Sequence, residues 1–215
     1  MSPTADMEKK VAAEAAAELV EDGMSVGLGT GSTVAYLLPA LAKRGLQLRC
    51  VATSPQTEEA ARELGLGVED FDTLVQLDIA IDGADQVAPD RWVVKGGGGA
   101  HTREKIVAAA AERFVVIVDS GKLVEELAPP VPLELHEFGL SATLHGLGGL
   151  DDVRRRDAPP SPDGGVIADY FGTVGDPAKL ATRLSAVPGV VEHGLFPAAM
   201  VSEVLVGRDG SVERL

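Results

Sequence analysis

Two aspartates three residues apart, a lysine, four consecutive glycines and a glutamate share one short stretch of this chain. It runs from Asp82 to Lys105 and reads DGADQVAPDRWVVKGGGGAHTREK. Carboxylates spaced like Asp82 and Asp85, around Gly83 and Ala84, can hold a metal, bind sugar hydroxyls or transfer protons. A metal would call for further oxygen or histidine ligands nearby. The four histidines, His101, His136, His145 and His193, are scattered and show no ligand spacing. Hydroxyl binding and proton transfer are therefore preferred to a metal site, with a simple turn or helix cap as the bland alternative. Gly96 to Gly99 cannot be chosen for stability, because each glycine loses much backbone entropy on folding. Such a run permits close approach of the backbone to a ligand and an array of N–H donors. With Lys95 in front, it suits a developing oxyanion; a flexible surface loop is the alternative. Glu104 lies in the first turn of an expected helix, where dipole energetics alone favour an acid. Beside an oxyanion site and shielded from water, it is also what proton abstraction next to a carbonyl requires. Lys122, in the later run FVVIVDSGK, is either a surface charge or a second cation for the same ligand.

The elements that would position these groups follow from patterning. Apolar runs precede both polar clusters, LDIAI before Asp82 and WVV before Lys95, as in buried strands of an α/β sheet. Their polar groups then emerge at strand C-terminal ends, where such sheets bind ligands. Upstream, an alanine-rich helix is expected from Ala5 to Glu21. It carries Lys9 and Lys10 near its start, as solvated charge or as a lysine reaching an anion. A strand from Met24 to Leu28 runs into Gly29-Thr30-Gly31-Ser32-Thr33 and then an apolar helix. Strand, glycine-rich loop, hydroxyls and helix start make an anion-binding arrangement. It is neither the spaced dinucleotide fingerprint nor a Walker loop; the alternative is a tight turn with a capped helix. Further strands are expected at 46–52, 68–71, 77–81 and 114–118, with helices at 56–64 and, N-capped by Thr102, at 103–113. The repeated β-α alternation implies a parallel sheet with helices on both faces.

After Pro129-Pro130 the pattern changes. PLELHEF, DVRRRDA, GVIADYF and VVEHGLF read as strands, and SATLHGLGG and DPAKLATRLSAV as helices. The order β-α-β-β-α-β is the split ferredoxin-like arrangement. The expected fold is thus α/β, with residues 1–130 plus 198–215 forming the parallel-sheet domain and 131–197 a smaller α+β domain. The tail brings a strand and an Asp209-Gly210 hairpin turn.

Composition narrows the function. The chain has 215 residues, enough for one substantial core, or one core and a small satellite. A formal charge of -14 argues against nucleic acid or an anionic membrane as the main partner. A phosphate ligand would need a locally positive pocket. The single cysteine, Cys50, excludes an intramolecular disulfide, fits a reducing compartment, and reads as a small strand residue rather than a nucleophile. No apolar run reaches the ~18 residues of a membrane span, and no apolar signal core opens the chain, so a cytoplasmic protein is expected.

GLGTGST, DGAD, KGGGGAHTREKIVAAA and PGVVEHGLF together resemble ribose-5-phosphate isomerase type A, in that family's order and over nearly the whole chain. The resemblance implies a Rossmann-like domain with a small α+β domain, and a homodimer or homotetramer. It implies a cofactor- and metal-free interconversion of D-ribose 5-phosphate and D-ribulose 5-phosphate in the pentose phosphate pathway. By motif, Glu104 would be the base that moves the proton between C1 and C2. Thr30, Gly31, Ser32 and Thr33 would form the first substrate loop. Asp82, Gly83, Ala84 and Asp85 would form the second, with Asp82 at ring opening, and Lys95, Gly96, Gly97 and Gly98 the third. Lys122 would contact substrate, and Lys9 would reach the phosphate. The chain departs from the family by carrying DSGK where DESK is common and SPDGG where TDNGN is common. The SPDGG turn is expected to lie outside the pocket. Related folds also serve as sugar-phosphate sensors, sugar-phosphate deaminases and acyl-CoA transferases. The acidic chain without a DNA-binding helix pair disfavours the first, and Glu104 after KGGGG disfavours the others.

Overall fold

The computed structural model describes residues 3–148 and 153–215. The chain forms two compact units, one comprising Met1–Ala84, Arg103–Leu123 and Ala199–Leu215, the other Asp85–Thr102 and Val124–Ala198.

The first unit opens with α1 (Pro3–Ala17), β1 (Ser25–Leu28), α2 (Val34–Arg44), β2 (Arg49–Ala52), α3 (Pro55–Glu63) and β3 (Leu77–Asp82). Local rules set several of these boundaries. Gly45 ends α2 in the left-handed region, φ 64°, and returns its N–H to Ala42. Ser54 caps α3 by accepting from Thr57 N, and Pro55 supplies the first helical φ. The chain then forms β4 (Gln86–Val87) and β5 (Val93–Val94), which belong to the second unit, before α4 (His101–Ala110) and β6 (Ala111–Asp119).

The second unit continues with β7 (Val131–Leu135), α5 (Leu140–Leu147), β8 (Val153–Arg155), β9 (Val166–Tyr170), α6 (Pro177–Ser185), β10 (Val190–His193) and β11 (Leu195–Phe196). The hairpin β12 (Glu203–Arg208) and β13 (Ser211–Arg214) completes the first unit. Asp209 and Gly210 turn it with φ 49° and 80°, the positive pair that a two-residue hairpin of this twist needs.

The main sheet has the order β13-β12-β6-β3-β1-β2, parallel except for β13. Its strands are continuous apolar runs, as expected where both faces are covered. Val26, Leu28, Ile79, Ile81, Val115, Ile117 and Leu205 pack against Ala12, Ala13, Ala16, Leu37 and Leu41 of α1 and α2. In the second unit β10-β7-β9-β8 is antiparallel, the order of the split arrangement expected from the element pattern. Its core holds Val131, Leu133, Leu135, Ala168, Tyr170, Leu180 and Leu184. A small sheet, β11-β5-β4, ties residues 85–102 into this unit, and Gln86 exchanges hydrogen bonds with Ala128 at 2.7 and 2.8 Å.

Several sequence expectations change. The WVV run before Lys95 supplies no strand of the parallel sheet but β5 of the three-stranded antiparallel sheet, and residues 111–113, expected to close a helix, open β6. Of the strand expected at 68–71, only Val68 pairs, in an isolated bridge to Cys50. Asp70 instead accepts from Asp72 N and closes a 3-10 turn, the usual competition of a short acidic side chain with a strand. VVEHGLF is two strands in two sheets, broken at Gly194. Thr102 lies inside α4, not at its cap, because a tertiary acceptor, Glu134, takes its hydroxyl. The last residue of the expected helix SATLHGLGG, Gly149, and the first of the expected strand DVRRRDA, Asp152, lie outside the described residues.

Candidate active site

In the first unit the order β2-β1-β3-β6-β12 reverses direction between β1 and β3. Loops leaving those two strands diverge, which makes the crevice where open α/β sheets bind ligands. The Gly29–Thr33 loop leaves β1 there, and Asp82 ends β3 beside it. Asp82 is 3% exposed, and its Oδ1 accepts from Thr30 N at 3.0 Å and Gly83 N at 2.7 Å. A β-carbon at Gly29 would collide with that carboxylate, so glycine is required for the approach. One at Gly83 would stand 3.9 Å from Thr33. The first loop and the Asp82-Gly83 half of the DGAD motif are thus a single constellation.

Three residues that motif reading passed over support this loop. Thr30 Oγ1 lies 2.7 Å from Thr53 Oγ1, and Thr57 Oγ1 donates to Gly29 O at 2.9 Å while Ser54 caps the same helix turn. The TSPQT sequence after β2 carried the signal, but reads only as a turn into a helix. At the start of α2, Thr33 makes no side-chain cap bond, contrary to the capped-turn alternative. In the first turn of α2 the N–H groups of Ala35 and Tyr36 instead donate to the backbone carbonyls of Gly31 and Thr33, both at 3.1 Å.

Glu104 is placed by helix geometry. Val107 of α4 packs over β1 so tightly that a β-carbon at Gly27 would collide with it. Residues three apart share a helix face, one turn being 5.4 Å. Because α4 leads directly into β6, parallel to β1, its first turn lies toward the strands' C-terminal ends. Glu104 is therefore on the sheet-facing side of α4, one turn nearer the Thr30–Asp82 edge than Val107. It is 5% exposed, so it faces inward rather than toward solvent.

The segments that carry the two cationic candidates of this unit, α1 and the turn after β6, are joined at one junction. The Ser120–Lys122 turn ends β6, with Asp119 accepting from Gly121 N at 3.1 Å. Ser120 donates from N at 2.9 Å and from Oγ at 2.8 Å to Glu8 Oε2 on α1, the residue before buried Lys9. These bonds hold the Glu8 carboxyl below its usual pKa, the Ser120 hydroxyl contributing most. Gly207 lets α1 approach β12 closely, since a β-carbon there would collide with Glu8 O. The DSGK departure thus gives its serine a distinct task, fixing the turn that carries Lys122. Cys50 is fully buried and its thiol is pushed up to about 12, mainly by burial, which fits a packing role rather than nucleophilic chemistry.

In the second unit Lys95 is 3% exposed, with Nζ 5.6 Å from the centre of the Phe196 ring. Its N–H donates to Gly194 O at 2.8 Å, and Gly194 N donates to Pro132 O at 2.7 Å. The glycine run that follows needs its glycines. Gly96 and Gly99 have φ 106° and 76°, and a β-carbon on Gly96 would lie 2.7 Å from His101 Nδ1. Asp85 accepts from Gly97 N at 2.8 Å and donates its own N–H to Val94 O. Asp82 and Asp85 therefore have separate partners, one the β1 loop and the other the glycine loop.

Glu134 was not legible as a site residue. It is 2% exposed and accepts from Thr102 and from Ser161, both at 2.5 Å. Ser161 begins the SPDGG turn, which thereby supports, through Glu134, the residue two before Glu104. A lone glutamate in PLELHEF gives no such signal.

Residues 49–211 match the family model for ribose 5-phosphate isomerase A (phosphoriboisomerase A). The chain is 44% identical over 219 residues to the ribose-5-phosphate isomerase A of Methanosarcina acetivorans, covering 96% of this chain and 93% of that one. Its structure is similar to ribose 5-phosphate isomerase A from Neisseria gonorrhoeae, with a TM-score of 0.95, 32% identity and coverage of 100% and 98%. It is also similar to a D-ribose-5-phosphate isomerase in complex with phospho-erythronic acid, with a TM-score of 0.92, 36% identity and coverage of 100% and 99%.

Proposed function

The chain belongs to the ribose 5-phosphate isomerase A family, and we propose that its residues interconvert D-ribose 5-phosphate and D-ribulose 5-phosphate by a single-base proton transfer. The observation that carries the mechanism is the burial of Glu104 on the sheet-facing side of α4, at the edge where the Thr30 loop and Asp82 meet. Asp82 assists opening of the sugar ring. Glu104 takes the proton from C2 of the open aldehyde, and the electron pair moves through C1 to O1, giving an enediolate. Lys95 and the Gly98 N–H of the glycine loop stabilise that negative charge, the Gly97 and Gly99 N–H groups being engaged within the protein. A proton passes from O2 to O1, and Glu104 returns its proton to C1, leaving the ketose. Asp85 orients hydroxyls; Thr30, Gly31, Ser32, Thr33, Gly83 and Ala84 line the sugar phosphate. Lys9, Lys122 and the α2 N-terminus supply the positive field that a dianionic substrate needs against a net charge of -14.

The reading places the protein in the cytoplasm as a homo-oligomer of the pentose phosphate pathway; among the described residues no helix is long and apolar enough to cross a membrane. Incubation with ribose 5-phosphate in deuterated water tests it. Deuterium should enter at C2 of the aldose and C1 of the ketose, and absence of label at both carbons during turnover would refute an exchanging enediolate base.

A further inference from the structure

The geometry points to Arg156 as a positioning residue for the glycine loop, fixing the direction of the loop's N–H groups through the carbonyls of Gly96 and Gly97. The inference rests on the reading of that loop as the oxyanion donor.

Arg156 follows β8, and its backbone N–H donates to Ile167 O at 2.9 Å. Its guanidinium makes a fork with the carboxylate of Asp169 on β9, Nε to Oδ2 at 2.8 Å and Nη2 to Oδ1 at 2.5 Å. Asp169 is 8% exposed, so this pair is well shielded. Nη1 donates to Gly96 O at 3.1 Å and to Gly97 O at 2.9 Å. The Asp169 hydrogen bonds raise the guanidinium's pKa above its ordinary value, with Asp85 adding a smaller charge effect.

Glycine backbones take either sign of φ at little cost, so this loop has no internal reason to point its donors one way. The hydrogen bonds supply that reason. The peptide joining Gly96 and Gly97 is held at both ends. Its carbonyl accepts from Arg156 and from Gly99 N at 3.0 Å, and its N–H donates to Asp85 at 2.8 Å. A planar trans peptide held on both sides cannot flip. At the next peptide, Arg156 holds the Gly97 carbonyl, which turns the Gly98 N–H to the opposite face. Arg156 thus selects the donor geometry without touching substrate. A lysine has one compact ammonium and cannot span a carboxylate and two carbonyls in this fork.

The test compares wild type, Arg156→Ala and Arg156→Lys with two inhibitors. One is a four-carbon aldonic acid phosphate, whose carboxylate mimics the enediolate; the other is ribitol 5-phosphate, which carries no charge at that end. In Arg156→Ala kcat should fall about 10²-fold, in line with loss of an oxyanion donor. The preference for the acid over the polyol should shrink by a similar factor, while KM and ribitol 5-phosphate affinity stay within about threefold. Arg156→Lys should fall between, and it carries the comparison if the alanine variant does not fold. A folded variant that keeps the wild-type kcat and acid preference overturns the inference, as does an equal loss of both inhibitors. If wild type itself shows no preference for the acid, the oxyanion reading of the loop fails, and this inference with it.

Discussion

The carbonyl oxygen of Lys95 occupies the space that a β-carbon on Gly194 would need, while the Lys95 N–H donates to Gly194 O at 2.8 Å. Two backbones cross here with no room for a side chain. Gly194→Ala should therefore displace Lys95 and the start of the glycine loop. Overpacking of this kind costs about 1–3 kcal/mol. The expected result is a lower denaturation midpoint together with a fall in kcat larger than the stability loss explains. A variant as stable and active as wild type would show that the crossing relaxes freely.

Glu104→Gln keeps the size and hydrogen-bonding capacity of the side chain but cannot take a proton. Turnover should drop by about 10²–10⁴-fold, the usual worth of a positioned general base. KM should change little. Steady-state kinetics will check this, and a variant with near-wild-type turnover would refute the proposed role.

Glu134 accepts two hydroxyl hydrogen bonds in a buried site, from Thr102 and Ser161. Glu134→Leu would strand both donors. Hydrogen bonds to a charged group contribute about 1.5–3 kcal/mol each, so a loss of at least one such increment is expected in chemical denaturation. Glu134→Gln retains an acceptor for one hydroxyl and should lose less. Equal midpoints for the leucine variant and wild type would contradict this account.

The Glu8–Ser120 junction makes a pH prediction. The folded-state pKa of Glu8 lies below its ordinary 4.5, chiefly through the Ser120 hydroxyl. A carboxylate depressed in this way stabilises the fold above the unfolded pKa. That contribution is lost as pH falls through the lower folded value. Wild type should thus exceed Glu8→Gln in unfolding midpoint near neutrality, and the gap should close on acidification below the ordinary carboxylate range. A gap that is constant with pH would assign the effect to packing of α1 instead.

If Lys9, Lys122 and a helix terminus draw the dianionic substrate as proposed, against a net charge of -14, raising the salt concentration should weaken activity mainly through KM. A KM flat across a salt titration would count against that role for the two lysines.

The sequence disclosed the loops because glycines, hydroxyls and acids cluster at the ends of apolar runs and so announce strand ends. That signal sits in each loop separately, although Thr30 and Asp82 meet across 52 residues. The family resemblance likewise matches the isomerase relatives. What stayed hidden has no such cluster around it. Glu134 and Asp169 lie on strands, where a lone acid reads as a solvated face, yet each is buried by hydroxyls or a guanidinium from another segment. Gly194 sits inside an apolar run whose only visible message is strand. Thr102 obeys a sound capping rule that a stronger distant acceptor overrides.

The 161–165 turn divides its residues into fixed and replaceable ones. Ser161 and Gly165 are buried, the first donating to Glu134 and the second too close to it for any side chain, while Asp163 and Gly164 face solvent. A grafted or shuffled segment should therefore be accepted wherever it opens on a small alcohol and closes on two glycines, because Gly164 turns the chain at φ 85°. Library diversity belongs in the middle of this loop, where tags or reporter insertions would leave the chemistry alone.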